Sequence, residues 1–272
     1  PRARSRRCWA PWAPRAVSVL GLVGGAGGRA AGGAAGAALR VRGRRHGRGR
    51  ARELGRCSCE AEPRARASLG RASALRYASE GATVVVADIN AEKGANAAAE
   101  MSAGGAAIEF IQVDVTSKES QQALFDDVVS RYGRVDTVLA AAGVSSSGYI
   151  SGEVDEVEAD PEERMFHNRS LEDWERVMAV NVTGVMLTNQ IAIQHMLAKQ
   201  TKGSIVNIAS IAGRRPLPGA SDYCVSKAAV IMLTKTVATE YSTLDIRVNA
   251  IGPGFIETPM TANIRQSPEW ME

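Results

Sequence analysis

From residue 69 onward, short apolar runs alternate with stretches of helical periodicity, and this alternation restricts the fold more than any other feature of the sequence. The run at 82–88 is rich in β-branched residues and lacks polar alternation, which is typical of a strand buried on both faces. Five such strands are predicted, at 82–88, 107–113, 135–141, 203–209 and 246–251. The intervening helices are predicted at 71–79, 91–101, 117–132, 171–199 and 223–241. Strands that each enter a helical crossover predict an α/β fold with a doubly wound, Rossmann-type parallel sheet in a single domain.

Charge divides the chain into two parts at residue 67. Residues 1–67 contain 16 arginines, no lysine and three acids, whereas the rest holds 17 basic and 26 acidic residues. The first part is rich in Arg, Ala and Gly and has no sustained period, so we expect a low-complexity extension, either disordered or a transit-like segment. The folded domain is then expected at 68–272. Its acidic excess would repel phosphates, which excludes a nucleic-acid partner, and no apolar run is long enough to predict a membrane span.

Cysteine and histidine spacing predicts no metal site. The Cys57-x-Cys59 pair has no second pair and no nearby histidine, and the three histidines of the chain lack partners at ligand spacing. Four cysteines without a framework spacing are typical of a reducing compartment. We therefore expect a cytoplasmic protein, or one of an organelle matrix if residues 1–67 are a transit segment.

Asp88 ends the first of these predicted strands. An acid at this position can accept hydrogen bonds from the hydroxyls of an adenosine ribose, and it would repel a 2′-phosphate, which favours NAD over NADP. The competing interpretation is that Asp88 caps the helix that follows, since Asp is common at such junctions. The residue alone does not decide between them.

A second group of polar residues is centred on Tyr223 and Lys227, which lie four apart on one face of a predicted helix. A nearby cation stabilises a phenolate, which would suit tyrosine for proton transfer, although an ordinary surface pair has the same spacing. Ser210 follows the strand at 203–209, at the strand end where open parallel sheets place ligands. Asn181 lies in the preceding helix, where its amide could hold a water. Together these positions are far more specific than any one of them.

These positions resemble the short-chain dehydrogenase/reductase family, in its order and spacing, over about residues 69–265. The matching segments are 86–88, 114–115, 142–143, Asn181, Ser210, Tyr223-x-x-x-Lys227 and 253–258. The resemblance implies that Tyr223 is the general acid/base and that Lys227 lowers its pKa and binds the nicotinamide ribose. It also implies that Ser210 holds the substrate oxygen and that Asn181 anchors a proton-relay water.

The resemblance further implies NAD as the cofactor and a sheet of order 3-2-1-4-5-6-7. The adenine would lie against Asp114 and Val115, and Ile256 and Thr258 would hold the carboxamide and pyrophosphate side. The full set of implied cofactor-binding residues is Gly70, Asp88, Ile89, Asp114, Val115, Ala142, Gly143, Tyr223, Lys227, Pro253, Gly254, Ile256 and Thr258.

The expected function is hydride transfer between a nicotinamide and a secondary alcohol/ketone pair, with 3-oxoacyl and hydroxysteroid compounds as examples of the substrate. A homodimer or homotetramer is the assembly that the family implies. The alternative is a member that no longer catalyses and acts as a binding or scaffold subunit, or an incomplete chain. The substrate itself cannot be deduced from the shared residues.

The sequence departs from the family at the first strand and at the glycine-rich turn. Residues 63–70 occupy the place of the turn but keep only Gly70 of its glycines, and residues 60–66 do not form a strand pattern. The apolar run at 16–23, followed by glycines at 24–28, could supply both parts from upstream; we favour a chance run, because the connection to the first helix would be unusually long.

Three further departures affect the loops and the end of the chain. Ala140 and Ala141 replace two amides of the family pattern, and the chain stops before the family's last helix and strand. The acidic stretch at 152–163 is expected to be a solvated loop, with a lid over the site as the alternative.

Overall fold

The computed structural model describes residues 17–21, 68–146, 162, 165–256 and 258–261. Six strands form one sheet: β1 Val17–Gly21, β2 Thr83–Asp88, β3 Ile108–Gln112, β4 Thr137–Ala140, β5 Gly203–Ile208 and β6 Ile246–Ile251. Every neighbouring pair is parallel, and the strand order is β3-β2-β1-β4-β5-β6. The predicted α/β fold is therefore confirmed, with the first six strand positions in the order that the family resemblance implies.

The centre of the sheet is occupied by β1, and this corrects the interpretation of residues 16–23 as a chance apolar run. Val19 pairs with Val85 of β2 on one side and with Val138 of β4 on the other. Without a strand in this position, the facing backbone groups of β2 and β4 would lose their ladder partners. The long connection between this run and the first helix led us to expect no strand here, but the hydrogen-bond ladder requires a strand at the centre of the sheet. The glycines at 24–28 lie outside the described residues.

In the described part of the chain, six α-helices connect the strands or follow them: α1 Leu69–Ser79, α2 Ala91–Ser102, α3 Lys118–Tyr132, α4 Leu171–Met178, α5 Val185–Ala198 and α6 Ser221–Glu240. The first four begin at a polar side chain that accepts a hydrogen bond from a backbone N–H of the first turn; these capping residues are Ser68, Asn90, Ser117 and Ser170. Such caps satisfy donors that the helix itself cannot pair. The capping residue therefore fixes the position at which each of these helices begins.

The core lies on both faces of the sheet, because successive side chains of a strand point to opposite faces. In β2, Val85 and Ala87 pack with α3 and α5, whereas Val84 and Val86 pack with α1 and α2. All four side chains are fully buried. The uninterrupted apolar run that predicted this strand is therefore explained by helices covering both of its faces.

A widened helical turn at Ala179–Gly184 joins α4 to α5. Turns of this π type are frequent at functional sites. Further along α5, Asn189 exchanges hydrogen bonds with Asn207 of β5, at 2.8 and 3.2 Å, and Asn207 also donates to Thr234 of α6 at 3.0 Å. This buried polar layer fixes α5 and α6 against the same strand.

Candidate active site

Four of the predicted site residues lie at or just after the carboxyl ends of strands of the sheet. Asp88 ends β2, Gly143 follows β4, Ser210 follows β5 and Pro253 follows β6. Because all the strands are parallel, these ends lie along one edge of the sheet. The topology thus brings to one edge residues that are up to 165 positions apart in the sequence.

Tyr223 and Lys227 lie in the first two turns of α6, and both are buried, with 8% and 3% of their surface exposed. The interpretation as a surface pair is therefore wrong. The Lys227 ammonium donates a hydrogen bond to the backbone carbonyl of Ile208 at 3.0 Å and lies 5.5 Å from the centre of the Tyr223 ring. Ser210 and Tyr223 line the same pocket as Lys227. The predicted triad of hydroxyl, phenol and ammonium is thus assembled.

Burial controls the protonation of this group. It raises the pKa of Tyr223 above its ordinary value, and the effect of the Ser210 hydroxyl opposes that rise. It lowers the pKa of Lys227 to about 8. The direction for Tyr223 is opposite to the one that the resemblance implies, because the phenol is buried while the ammonium hydrogen bonds to Ile208. At neutral pH Tyr223 therefore holds its proton in this state of the protein.

Asn181 lies in the widened turn and is fully buried. Its amide oxygen accepts from the backbone N–H of Val144 at 2.8 Å, and its amide nitrogen donates to the Val144 carbonyl at 2.9 Å and to Ser226 Oγ at 3.0 Å. The side chain thus ties the segment after β4 to α6. Through these bonds the side chain braces the site.

Gly143 is the point at which the β4 segment meets the lysine. A Cβ built on Gly143 would lie 3.2 Å from Lys227 Nζ and 3.5 Å from Asn181 Oδ1. The contact with Nζ is tighter than usual, so the ammonium would have to shift by a few tenths of an ångström to admit a side chain. Glycine therefore keeps the surface beside the ammonium open.

One pocket joins eight of the predicted residues, namely Gly143, Ser210, Tyr223, Lys227, Pro253, Gly254, Ile256 and Thr258. The rest of its lining is mostly apolar, and much of it was missed from the sequence: Leu69, Ala141, Ile208, Ala209, Ile211, Leu217, Phe255, Met260 and Thr261. Apolar side chains next to a catalytic motif carry no chemical signature of their own. Their nearness in the chain to Ser210 and to Pro253-Gly254 is the one signal that could have found several of them.

Asp88 lies beyond this pocket, at the end of β2, with 3% of its surface exposed. It accepts a hydrogen bond from the backbone N–H of Asn90 at 2.8 Å, and it is Asn90, through its own side chain, that caps α2 by accepting from Lys93. Asp88 is therefore not the helix cap. Burial raises the pKa of Asp88 to about 6, against a smaller opposing effect of the Asn90 hydrogen bond.

The neighbouring predicted residues have structural contacts of their own. Ile89 accepts at its carbonyl from Gln112 at 3.0 Å. The Asp114 carboxylate accepts from the backbone and hydroxyl of Thr116 at 2.8 and 2.7 Å. Val115, Ala142 and Gly70 are buried, and none of these five residues lines the pocket around Tyr223. Ile89 follows β2, and Asp114 and Val115 follow β3, whereas Ala142 follows β4 and Gly70 lies in α1.

Two negative observations complete the description of the part of the chain that the structure covers. Among the described residues, no three His, Cys, Asp or Glu side chains are grouped as they would be around a metal ion. None of the described helices is both long and apolar enough to cross a bilayer.

The comparisons with known proteins agree with the geometry. Residues 65–269 match the family model described as short chain dehydrogenase. The chain belongs to this family. Short-chain dehydrogenases are oxidoreductases, and the curated relatives include proteins named as reductases of keto compounds and dehydrogenases of alcohols.

Two curated relatives carry names that state different substrates. The 3-oxoacyl-acyl-carrier-protein reductase FabG of Thermotoga maritima is 36% identical over 200 residues, which are 74% of each chain. The 3beta-hydroxysteroid dehydrogenase 1 of Eggerthella lenta is 40% identical over 203 residues, 74% of this chain and 71% of the relative.

Solved structures show the same fold. A short-chain dehydrogenase/reductase from Burkholderia xenovorans, described as putative, superposes with a TM-score of 0.63 at 30% identity, over 72% of each chain. An NAD+-bound xylitol dehydrogenase superposes with a TM-score of 0.57 at 31% identity, over 68% of this chain and 65% of that one. Nicotinamide cofactors are thus the cofactor class of this family.

Proposed function

We propose that this chain is an NAD-dependent oxidoreductase that interconverts a secondary alcohol and its ketone on an apolar substrate. The observation that carries the proposal is the pocket that Ser210 and Tyr223 line together, next to the buried ammonium of Lys227. Two hydroxyl groups in one pocket can both hydrogen bond to one substrate oxygen.

The residues present fit a nicotinamide cofactor. The open surface beside Gly143 would be closed by any Cβ, as expected where a flat ring has to approach the lysine. Lys227, Pro253, Gly254, Ile256 and Thr258 would hold the nicotinamide half. Asn181 and Ala142 would support the residues that hold the nicotinamide half. From there the cofactor site would extend to Asp88 along Gly70, Ile89, Asp114 and Val115. When bound, the cofactor supplies or accepts the hydride.

Asp88 is the residue that favours NAD over NADP in this proposal. Its carboxylate ends a strand at the ligand-binding edge, and its Oδ1 accepts from the Asn90 N–H. An ionised carboxylate here can accept from ribose hydroxyls and repels a 2′-phosphate. Because burial raises its pKa only to about 6, the carboxylate is charged at neutral pH.

Proton transfer is assigned to Tyr223 and Ser210. Since the pKa of Tyr223 lies above its ordinary value, the phenol can donate its proton to the ketone oxygen during reduction, while the Ser210 hydroxyl polarises that oxygen. In the reverse direction Tyr223 must first lose its proton. The buried Lys227, whose pKa is about 8, remains mainly an ammonium at pH 7 and stabilises charge close to the phenol.

The lining of the pocket favours an apolar substrate. Ile211, Leu217, Phe255 and Met260 surround the two hydroxyls, and Phe255 is half exposed. A sugar would leave its hydroxyl groups without partners against these side chains, and buried unpaired polar groups are costly. A hydroxysteroid or an acyl chain has the apolar surface that such a lining covers.

We also propose a homodimer or homotetramer, supported by exposed apolar side chains on the last two helices: Leu197 of α5, and Val225 and Met232 of α6. Exposed apolar groups of this kind are typical of contact surfaces. The few cysteines favour a reducing compartment, either the cytoplasm or an organelle matrix.

The test is steady-state oxidation of NADH by the full chain with a panel of ketones. The panel contains a 3-ketosteroid, a 3-oxoacyl thioester and a keto sugar. We expect kcat/KM for at least one apolar ketone to exceed that for the keto sugar by about tenfold or more. A preference for the keto sugar would contradict the substrate class, and no turnover with any ketone would contradict the proposed function.

A further inference from the structure

Three segments of the chain meet at a buried arginine close to Tyr223. Arg169, just before α4, donates from Nη1 to Ser146 Oγ at 2.7 Å and from Nη2 to the backbone carbonyl of Gly219 at 2.7 Å. Ser146 in turn donates to the carboxylate of Asp222, the residue before Tyr223. One guanidinium thus connects the segment after β4 with the loop and the first turn of α6.

The first turn of α6 needs this support because it has no ordinary cap. Ala220, at the capping position, has no side chain that could accept from the helix, unlike the residues that begin α1 to α4. Instead, Asp222 Oδ1 accepts from the backbone N–H of Tyr223 at 2.7 Å. A negative charge in the first turn also interacts favourably with the helix dipole. Asp222 therefore lies inside the first turn of the helix and accepts a hydrogen bond of the kind that a capping residue would accept.

The charges in this group are almost completely removed from water. The side chain of Asp222 is fully buried and that of Arg169 is 8% exposed, with 4.0 Å between Nη1 and Oδ2. Buried charges persist only when they are paired and hydrogen bonded, and removal of one partner leaves the other uncompensated. The geometry of the three residues is therefore strongly coupled.

We propose that Arg169, Ser146 and Asp222 are positioning residues that hold the first turn of α6, and with it the Tyr223 phenol, in register with Ser210. None of the three lines the pocket around Tyr223, so they act through the helix backbone. The Tyr223 ring is attached to the very turn that they fix. This proposal rests on the proposed function of Tyr223.

The proposal is tested by measuring the rate of catalysis and the protection of backbone amides from hydrogen exchange. The variants are Arg169→Ala, Arg169→Lys, Ser146→Ala, Asp222→Asn and the double variant Arg169→Ala/Asp222→Asn. The matched control is Arg176→Ala, because Arg176 is an exposed arginine of α4 that pairs with Asp173 at 2.8 Å. Steady-state rates of ketone reduction and hydrogen exchange of peptides that cover 219–227 are measured for each.

We expect Arg169→Ala and Asp222→Asn to lower kcat by about tenfold to a hundredfold, since small misplacements of a catalytic group have effects of this size. KM for NADH should stay within about twofold, because the cofactor contacts are unchanged. Exchange at 219–227 should accelerate while exchange in α1 and α2 does not. Arg169→Lys keeps the charge but not the forked contacts and should recover part of kcat. The double variant should be no worse than the poorer single variant.

Three results would overturn the proposal: unchanged kcat and exchange in Arg169→Ala, equal acceleration of exchange throughout the chain, or additive losses in the double variant. If Arg169→Ala does not fold, Ser146→Ala decides in its place, because it removes only the bridging hydroxyl; wild-type kcat and exchange in that variant would overturn the proposal. If the wild-type chain shows no turnover, the proposed function fails, whereas the exchange measurements still test the positioning role.

Discussion

The ammonium of Lys227 lies 5.5 Å from the centre of the Tyr223 ring and donates its hydrogen bond to the Ile208 carbonyl, not to the phenol oxygen. Both side chains are buried on the same face of α6. The lysine therefore acts on the phenol through its charge and at a distance. Substitutions of Tyr223 and of Lys227 test this relationship.

Tyr223→Phe removes the proton donor and leaves the ring in place. We expect kcat to fall by about a hundredfold to ten-thousandfold, the usual contribution of general acid–base catalysis. Steady-state oxidation of NADH with a ketone measures this. Tyr241→Phe is the control, since Tyr241 packs against the core away from the pocket. Equal rates in wild type and Tyr223→Phe would remove Tyr223 from the mechanism.

Lys227→Met removes a buried charge and should change the pH dependence of stability. Because burial lowers the pKa of Lys227 from 10.5 to about 8, the unfolded state binds more protons between these values, and wild-type stability rises with pH there. The free energy of unfolding of wild type relative to Lys227→Met should increase by about 1 to 3 kcal/mol from pH 8 to pH 10.5. Denaturant unfolding at several pH values measures this. A constant difference between the two proteins would show that Lys227 is not buried as a charge.

Asp88→Asn removes the negative charge at the end of β2. We expect the ratio of kcat/KM for NADH to that for NADPH to fall by about tenfold or more, because repulsion of the 2′-phosphate is lost. Wild type should lose part of the same preference below about pH 6, where the carboxyl takes up a proton. Asp127→Asn, at an exposed carboxylate of α3 that pairs with Arg131, is the control. A cofactor preference unchanged in Asp88→Asn contradicts the assigned role.

Gly143→Ala tests the open surface beside the lysine. The added Cβ would lie 3.2 Å from Lys227 Nζ, so we expect KM for NADH to rise by about tenfold as the approach to the ammonium narrows. Gly104→Ala is the matched control, because no atom lies within 4 Å of a Cβ at that position. If the two variants behave alike, the space beside Gly143 is not used by the cofactor.

Val19→Pro tests the central strand. Proline has no N–H for the ladder, and inside a central strand it should lower the free energy of unfolding by about 3 kcal/mol or more. Val19→Ile keeps the N–H and a β-branched side chain and is the control. Circular dichroism during thermal unfolding measures both. A wild-type melting curve for Val19→Pro would show that β1 does not complete the sheet.

The sequence allowed β2 to be predicted because this strand is buried on both faces and therefore carries an uninterrupted apolar run. It failed for β1, because the preference for short connections argued against a strand that lies far upstream of α1. The residues Ser210, Tyr223 and Lys227 were predicted from their order and spacing together with the other positions that resemble the family, and not from any one spacing. The Arg169, Ser146 and Asp222 contacts were not, since they join three segments through tertiary packing and follow no sequence period.

Thermal unfolding of the full chain, alone and with NAD or NADP, tests most directly whether these residues form one working cofactor site. A ligand that binds only the folded state raises the unfolding temperature. We expect one cooperative transition, and NAD should raise its unfolding temperature more than NADP does. This difference between the two cofactors should be lost in Asp88→Asn. The absence of a cooperative transition, or an unfolding temperature that neither cofactor changes, would contradict this expectation.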